Sequence, residues 1–558
     1  MLDSVTVPAW IARILGQLAE AEFIQLALVI VNAEPPLPAP RFARLGAPRP
    51  RHLLLNLYQR IDARFFRAEP DAFGQVDMSD RLASVPTLEV VPLRPKQLEH
   101  RFEAEAIGRV RKADLDVLLR FGFNIIRGEI LDCARYGVWA YHHGDNQRYR
   151  DSPAFFWEMY DNNPVSGTML QVLSEDLDGG RILYRSFSAT DPTSLNRSRN
   201  AAYWKSAEFV MRRLTDLHRR GSAYLDSRPE YREAVPNKKG IYRTATNGQM
   251  IRFLARVLWG VVARKARKLV GREIWYVAYR RVAAHGELVS DVISAGTSSR
   301  SESFRLMPSP RGRYYADPFV VEHQGRHYVL FEDYDLAAGK GVISWTCFDE
   351  HGVPNPAQVA LARDYHLSYP FVFRWNGNWY MAPESGENRT IELFRAEEFP
   401  VRWALERVLV DNVTAFDPTI LEHDGLWWLF ASVAVQGGSA ADELFLFYAD
   451  SPLDEWTPHP MNPIVSDVRC ARPAGRVFSH GGMLIRPGQD SSRRYGYATV
   501  FSCITTLTTT QYAETPIHRL EPGWMRGNLA THTFNADGEY EVVDALRWVC
   551  RSTNVVSH

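Results

Sequence analysis

The sequence predicts a multidomain protein in which a doubly wound α/β domain is followed by an all-β five-bladed propeller. Three observations carry that expectation. At 558 residues the chain exceeds what one ordinary hydrophobic core supports. Strand-like apolar runs alternate with helical periodicities through the first third, the pattern of βαβ units over a parallel sheet. After Ile274 a hairpin unit recurs with a period of roughly fifty residues, which in an all-β setting signals propeller blades.

The elements of the first domain follow in order. TVPAWIARILGQLAEA sets Ile11, Ile14, Leu15 and Leu18 on one helical face. FIQLALVIVNA reads as a buried strand of the parallel-sheet kind. Pro35–Pro50 is a Pro- and Arg-rich loop, and RHLLLNLYQRIDARFF a second helix. Leu88–Leu93 (LEVVPL) is a strand, LEHRFEAEAIGRVRKA a helix, and ADLDVLLRFGFNIIRGEIL the next strand and helix. A doubly wound domain opens on a strand, and only MLDS stands there, so the expectation is that the first strand is clipped. The boundaries are 1–187 for this domain, 188–271 for a helical basic connector and 272–558 for the propeller.

Composition narrows the function classes. Sixty-five basic residues balance sixty-five acidic ones, which removes the electrostatic basis for a nucleic-acid partner. The five cysteines form no Cys-x-x-Cys pair, so neither a disulfide frame nor a zinc site is expected, and no metal is assigned. The N-terminus lacks a basic stretch followed by an apolar one, and no run is long enough to span a bilayer, so the expected location is cytoplasmic. The most basic stretch, Ile251–Gly271, interleaves apolar residues with Arg252, Arg256, Arg264, Lys265, Arg267 and Lys268. It reads as a packed connector or as a surface helix touching an anionic membrane through 251–270.

Candidate chemistry in the first half centres on Trp139–Leu183. His142 ends one apolar run and Asp178 sits in the LDGG turn after the next, thirty-six residues on. An imidazole can take the proton of an attacking amine while a carboxylate holds its tautomer, which suits carbonyl transfer near neutral pH. The bland alternative is a satisfied histidine at a strand end and a turn carboxylate.

The stretches LLRFGFNIIRGEILDCARYGVWAYHHGDNQRYRDSP and TMLQVLSEDLDGGRIL resemble the catalytic core of the folate-dependent formyltransferases, a Rossmann-like fold. The resemblance implies transfer of a formyl or related one-carbon acyl group to an amine, such as an amino sugar or a lipid-linked glycan held by the propeller. It implies 10-formyltetrahydrofolate as donor and His142 and Asp178 as catalytic residues. The family's Asn falls on Ala140, and its Ser-Leu-Leu-Pro on Gly144-Asp145-Asn146-Gln147. A lost oxyanion donor typically costs about 3 kcal/mol. His143, Asn146, Phe121 and Gly122 are therefore the candidates for the oxyanion or donor site, and Arg148 and Arg150 for acceptor binding.

In the second half the recurring units are DPFVVEHQGRHYVLFE, YPFVFRWNGNWYMAPE, DPTILEHDGLWWLFAS, RPAGRVFSHGGMLIRPGQD and, more loosely, THTFNADGEYEVVDA. Each is a strand, a Gly turn and a second strand. They resemble the propellers of the arabinanase, xylosidase and invertase group of glycoside hydrolases, and the propeller domain that accompanies some sphingolipid glycosyltransferases. The hydrolase resemblance implies acidic roles for Asp317 and Asp417, while the position of the family's acid is Arg472. Cleavage needs two carboxyl groups, one of them a proton donor. A funnel of Asp317, Glu332, Glu384, Asp417, Arg472 and Asp490 that holds a sugar or glycolipid head group is the alternative function to one-carbon transfer.

Overall fold

The computed structural model describes residues 1–34, 50–96, 99–145, 148–149, 153–175, 180–227, 244–282 and 303–550. The chain divides into two compact units, Met1–Gly260 with Val435–Ser439, and Val261–Ala434 with Ala440–His558. Among the described residues no helix is long and apolar enough to cross a membrane.

The second unit carries the repeats. Four four-stranded antiparallel sheets follow one another, opening on Arg313–His323, Ser368–Trp375, Ala415–His423 and Phe478–His480. In a fifth sheet Gly271–Arg281 pairs along its whole length with Tyr540–Cys550, so the two ends of the unit are hydrogen-bonded together. Sheets pack in a closed ring through five apolar clusters. Leu330 and Ile343 meet Val372 and Met381 between the first and second sheets, and Leu393 meets Ile420 and Leu429 between the second and third. Phe430 and Leu446 meet Ile504 next, and Ile485 and Phe501 meet Val543 after that. Val277 and Val542 of the fifth sheet close against Val320 and Phe331 of the first. A ring closed in this way leaves only short strand edges exposed, which is the propeller-like solution to the edge problem.

Turn chemistry explains why the repeats fold as hairpins. Gln324-Gly325, Asn376-Gly377, Asp424-Gly425 and Gly481-Gly482 all have positive φ at both central residues, as a type I′ turn requires. A second recurring device sits at the sheet openings. Asp317, Tyr369 and Asp417 have φ of 51°, 44° and 52°, each directly before a proline, and each lies in a break of strand register. These are bulges that re-aim one side chain per sheet.

The first unit departs from the expected doubly wound, Rossmann-like sheet. Its strands are shared among four small sheets, of two, two, three and four strands. Val29–Asn32 does run parallel to Thr87–Val90, and Leu118–Arg120 parallel to Val138–His143. Val138–His143 is antiparallel to Val165–Val172, which is antiparallel to Arg181–Ala189. Apolar runs announce a strand but not its direction, which the next connection decides. The first helix, Ala9–Glu20, buries the face Ile11, Ile14, Leu15 and Leu18 as its periodicity predicts. The region read as a connector is partly core, since Leu195–Arg220 buries Ala202, Ala207, Phe209 and Val210 in the same cluster as Ile14 and Trp139.

Gly377 has φ +79° and open space around its α-carbon, so a methyl group there meets only backbone strain. Gly377→Ala is expected to lower stability by about 1–2 kcal/mol in urea unfolding. Gly523→Ala, also in open space and without positive φ, is expected to stay within about 0.5 kcal/mol.

Candidate functional site

The bulges and the second strands build two stacked rings at the centre of the propeller-like unit. The first ring is Asp317, Tyr369, Asp417, Arg472 and His532. The second is Glu332, Glu384, Ser432, Gln489 and Asp544. In three sheets the two positions are fifteen residues apart, as in Asp317 and Glu332, and all ten side chains are buried. Strand pairing sets the rings together, because Ala316 pairs Glu332, Ser368 pairs Glu384 and Phe416 pairs Ser432.

Hydrogen bonds cross from sheet to sheet here. Arg472 donates from Nε to Asp417 Oδ2 at 2.6 Å and from Nη2 to Asp417 Oδ1 at 3.1 Å, and Nη2 also reaches Glu384 Oε2 at 3.0 Å. Gln489 donates to Asp417 Oδ2 at 2.8 Å. The guanidinium lies over the rings of Phe416 and Tyr495, 5.0 and 5.1 Å from their centroids. On the other side Thr533 Oγ1 donates to Asp317 Oδ1 at 2.8 Å, and the Asp317 amide to Asp544 Oδ2 at 3.1 Å. His532 stands 2.7 Å from Asp544 Oδ2 and 3.4 Å from Asp317 Oδ1, with Trp275 stacked on its ring at 4.1 Å. Gly341 is close to this site by necessity, since a Cβ there would sit 2.8 Å from Glu332 Oε1.

Burial of five carboxyl groups with two cations forces their protonation apart. Burial, with the Asp417 and Asp544 charges outweighed in part by His532, pushes Asp317 up to about 6. Glu332 is held well above the ordinary carboxyl range by burial and then by the neighbouring Asp317 and Glu384 charges. Glu384 is raised likewise, burial prevailing over the Arg472 charge. Burial opposes a charge on His532, but Asp544 and Asp317 overcome it and raise the imidazole. The centre therefore presents two carboxyls, Glu332 and Glu384, held towards their neutral form beside a guanidinium fixed on Asp417.

Five of the six residues expected in the funnel converge here. Asp490 does not. It is turned to its own sheet, where Arg519 Nη1 lies 2.5 Å from it, and the neighbouring Gln489 faces the centre. A one-residue slip moves a strand side chain to the other face. His532, Asp544, Gln489 and Tyr369 were not singled out by sequence reasoning. The position fifteen residues after each sheet opening is the signal that finds the second ring, and it weakens in the fourth and fifth units, where the spacing changes.

In the first unit Asn146, Arg150 and Asp178 lie outside the described residues. His142 is the next-to-last residue of its strand, Val138–His143, half-buried and paired with Met169. His143 is a packed plate, stacked 3.6 Å from Tyr203 and edge-on to Trp10, its basicity lowered by burial and then by the His142 and Arg199 charges. The amides of Phe121 and Gly122, proposed as oxyanion donors, both donate to Met1 O, at 3.0 and 3.1 Å. Gly122 serves close packing, because a Cβ would lie 2.3 Å from the Asp3 nitrogen. Arg148 is exposed, 3.9 Å from Asp145.

Comparison with known proteins locates the likeness in the second half. A model of the family "Glucosamine inositolphosphorylceramide transferase 1, N-terminal" matches residues 298–529. Glucosamine inositolphosphorylceramide transferase 1 of Oryza sativa subsp. japonica is 37% identical over 209 residues, covering 37% of this chain and 28% of the relative. The Arabidopsis thaliana protein of the same name is 36% identical over 214 residues, covering 37% and 27%. The chain thus spans little more than a quarter of the length of these relatives. Among solved structures, a family 117 glycoside hydrolase of Zobellia galactanivorans aligns at 13% identity and TM-score 0.31, covering 49% of this chain and 90% of that one. The GH62 α-L-arabinofuranosidase catalytic domain of Coprinopsis cinerea aligns at 14% and 0.32, covering 50% and 99%. These findings overturn one-carbon transfer, because the relatives are named for glycosyl transfer and the matched family model lies wholly outside Asp114–Tyr184, the stretch that carries the formyltransferase resemblance. The 10-formyltetrahydrofolate donor is implied by the formyltransferase resemblance alone.

Two outcomes follow from this geometry. The folded state holds the protons of Asp317 and His532 more tightly than the unfolded chain, so their contribution to stability is complete at low pH and is lost as pH rises through about 6 and above. Asp317→Asn is expected to flatten that decline by on the order of 2 kcal/mol in denaturation midpoints taken from about pH 4 to 7; an unchanged slope would place the titration elsewhere. His143→Phe keeps the stack on Tyr203 and is expected to cost less than about 1.5 kcal/mol by thermal unfolding.

Proposed function

We propose that the centre of the propeller holds the polyhydroxylated head group of a glycan or glycolipid, within a protein that takes part in glycosyl transfer. The observation that carries this reading is the protonation pattern of the rings. A neutral carboxyl both donates and accepts hydrogen bonds, as does a tyrosine hydroxyl or a glutamine amide. Glu332, Glu384, Gln489 and Tyr495 thus match hydroxyl groups that also do both. Eight of the ten ring positions fall within residues 298–529, the stretch similar to the family named for inositolphosphorylceramide.

Holding is favoured over cleaving. A glycosidic bond is broken between two carboxyl groups, one ionised and free to attack or to activate water. Here Asp417 is bound by Arg472 and Gln489, and Arg472 stands where a proton donor would be needed. Arg472 also anchors two carboxyls, which suits positioning of a head group with an anionic or hydroxyl face.

The test is calorimetric titration of the full chain with myo-inositol 1-phosphate and with glucosaminyl-inositol phosphate. Saturable binding is expected, weakened about tenfold, or about 1.4 kcal/mol, by Glu332→Gln with an unchanged unfolding midpoint. Affinity weaker than roughly 10 mM for both, under about 3 kcal/mol of binding free energy, would overturn the reading.

A further inference from the structure

The helix Asn247–Val270 buries only Met250 and Phe253 among its side chains. It leaves large apolar residues in solvent, with Ile251 61%, Leu258 65%, Trp259 74%, Val262 51% and Leu269 76% exposed. At 100° per residue Ile251, Leu258, Val262 and Leu269 fall within a narrow arc, with Trp259 on its flank, so the exposed apolar row runs the length of the helix. Exposed patches of this kind mark an interaction surface.

Charge identifies the occupant. The helix has six Lys and Arg residues and no Asp or Glu. Arg256 is engaged with the Tyr160 and Met159 carbonyls, at 2.6 and 2.7 Å, and fixes the start of the helix to the first unit. At the same 100° per residue Arg252, Lys265 and Lys268 flank the apolar arc while Arg264 and Arg267 lie on the face opposite it, and among the described residues none of the five pairs with a carboxylate. A second copy of this helix would bring cations against cations in either orientation. An anionic surface with an apolar interior matches both the charge and the apolar row.

A neighbouring helix carries an exposed apolar row of its own. Leu53–Phe65 packs beside the start of the basic helix, where Tyr58 meets Phe253 edge-on at 5.3 Å and Asn247 Oδ1 accepts from the Leu54 amide at 3.1 Å. It exposes its own row, Leu53, Leu57, Ile61 and Phe65, spaced four residues apart. We propose that the helix Asn247–Val270 docks the protein on an anionic lipid surface, lying in the plane of the interface with Leu258, Trp259 and Val262 among the acyl chains. This docking acts independently of any head group bound in the propeller.

Flotation of the full chain with lipid vesicles tests the assignment. At about 0.15 M salt the protein is expected to float with phosphatidylcholine vesicles containing about 30% phosphatidylserine, and to remain unbound with phosphatidylcholine alone. Raising the salt to about 1 M should release most of it. The double variant Leu258→Glu, Trp259→Glu is expected to lose about tenfold in bound fraction, and Arg264→Glu, Lys265→Glu severalfold, with unfolding midpoints unchanged because all four side chains are exposed. Absence of flotation, or equal flotation of the Leu258, Trp259 variant, overturns the assignment. A concentration-dependent dimer abolished by that variant does so as well, since a second copy would then own the face.

Discussion

The paired guanidinium of Arg472 is the constraint on which the propeller centre depends. Its side chain joins the fourth unit to Asp417 of the third sheet and Glu384 of the second, with the rings of Phe416 and Tyr495 packed against the fork. Removing one partner of a buried pair leaves an uncompensated charge, typically a loss of 3–5 kcal/mol. Burial holds Glu384 towards its neutral form against the pull of this cation, which works to ionise it.

The same site shows how backbone geometry and side-chain chemistry divide their tasks. A residue in left-handed conformation before a proline is strained, on the order of 1–3 kcal/mol each. Three such residues aim Asp317, Tyr369 and Asp417 at a common centre that strands of regular pleat would pass by. The chemistry at those positions differs while the backbone device is the same.

Much of the second unit is legible in the sequence because its signals are local and repeated. Asn-Gly and Asp-Gly turns force φ positive, and the Asp-Pro or Tyr-Pro openings recur at fixed distance from them. Gln489 and Asp490 mark the limit, since adjacent residues face opposite ways and the irregular fourth unit hides which one points inward. His532 lies in the unit that matches the repeat least. In the first unit helix faces such as Ile11 to Leu18 could be read, but strand direction could not, and the likeness of His142 and its surroundings to another family rested on a short stretch. Whether a histidine is a reactive group or a packed ring depends on Tyr203 and Trp10, which are distant in sequence from His143.

The strand Gly271–Arg281 precedes the rest of the ring in the chain but completes its last sheet. As the chain is synthesised, this strand emerges well before its partner Tyr540–Cys550, and four sheets form in the interval. The ring has no seam to close until nearly the whole unit is available, so its earliest strand waits with an unpaired edge. Such a topology ties folding of the ring to synthesis of its last strand and makes a chain that stops short of Tyr540–Cys550 a target for chaperones or proteases rather than a shorter working propeller.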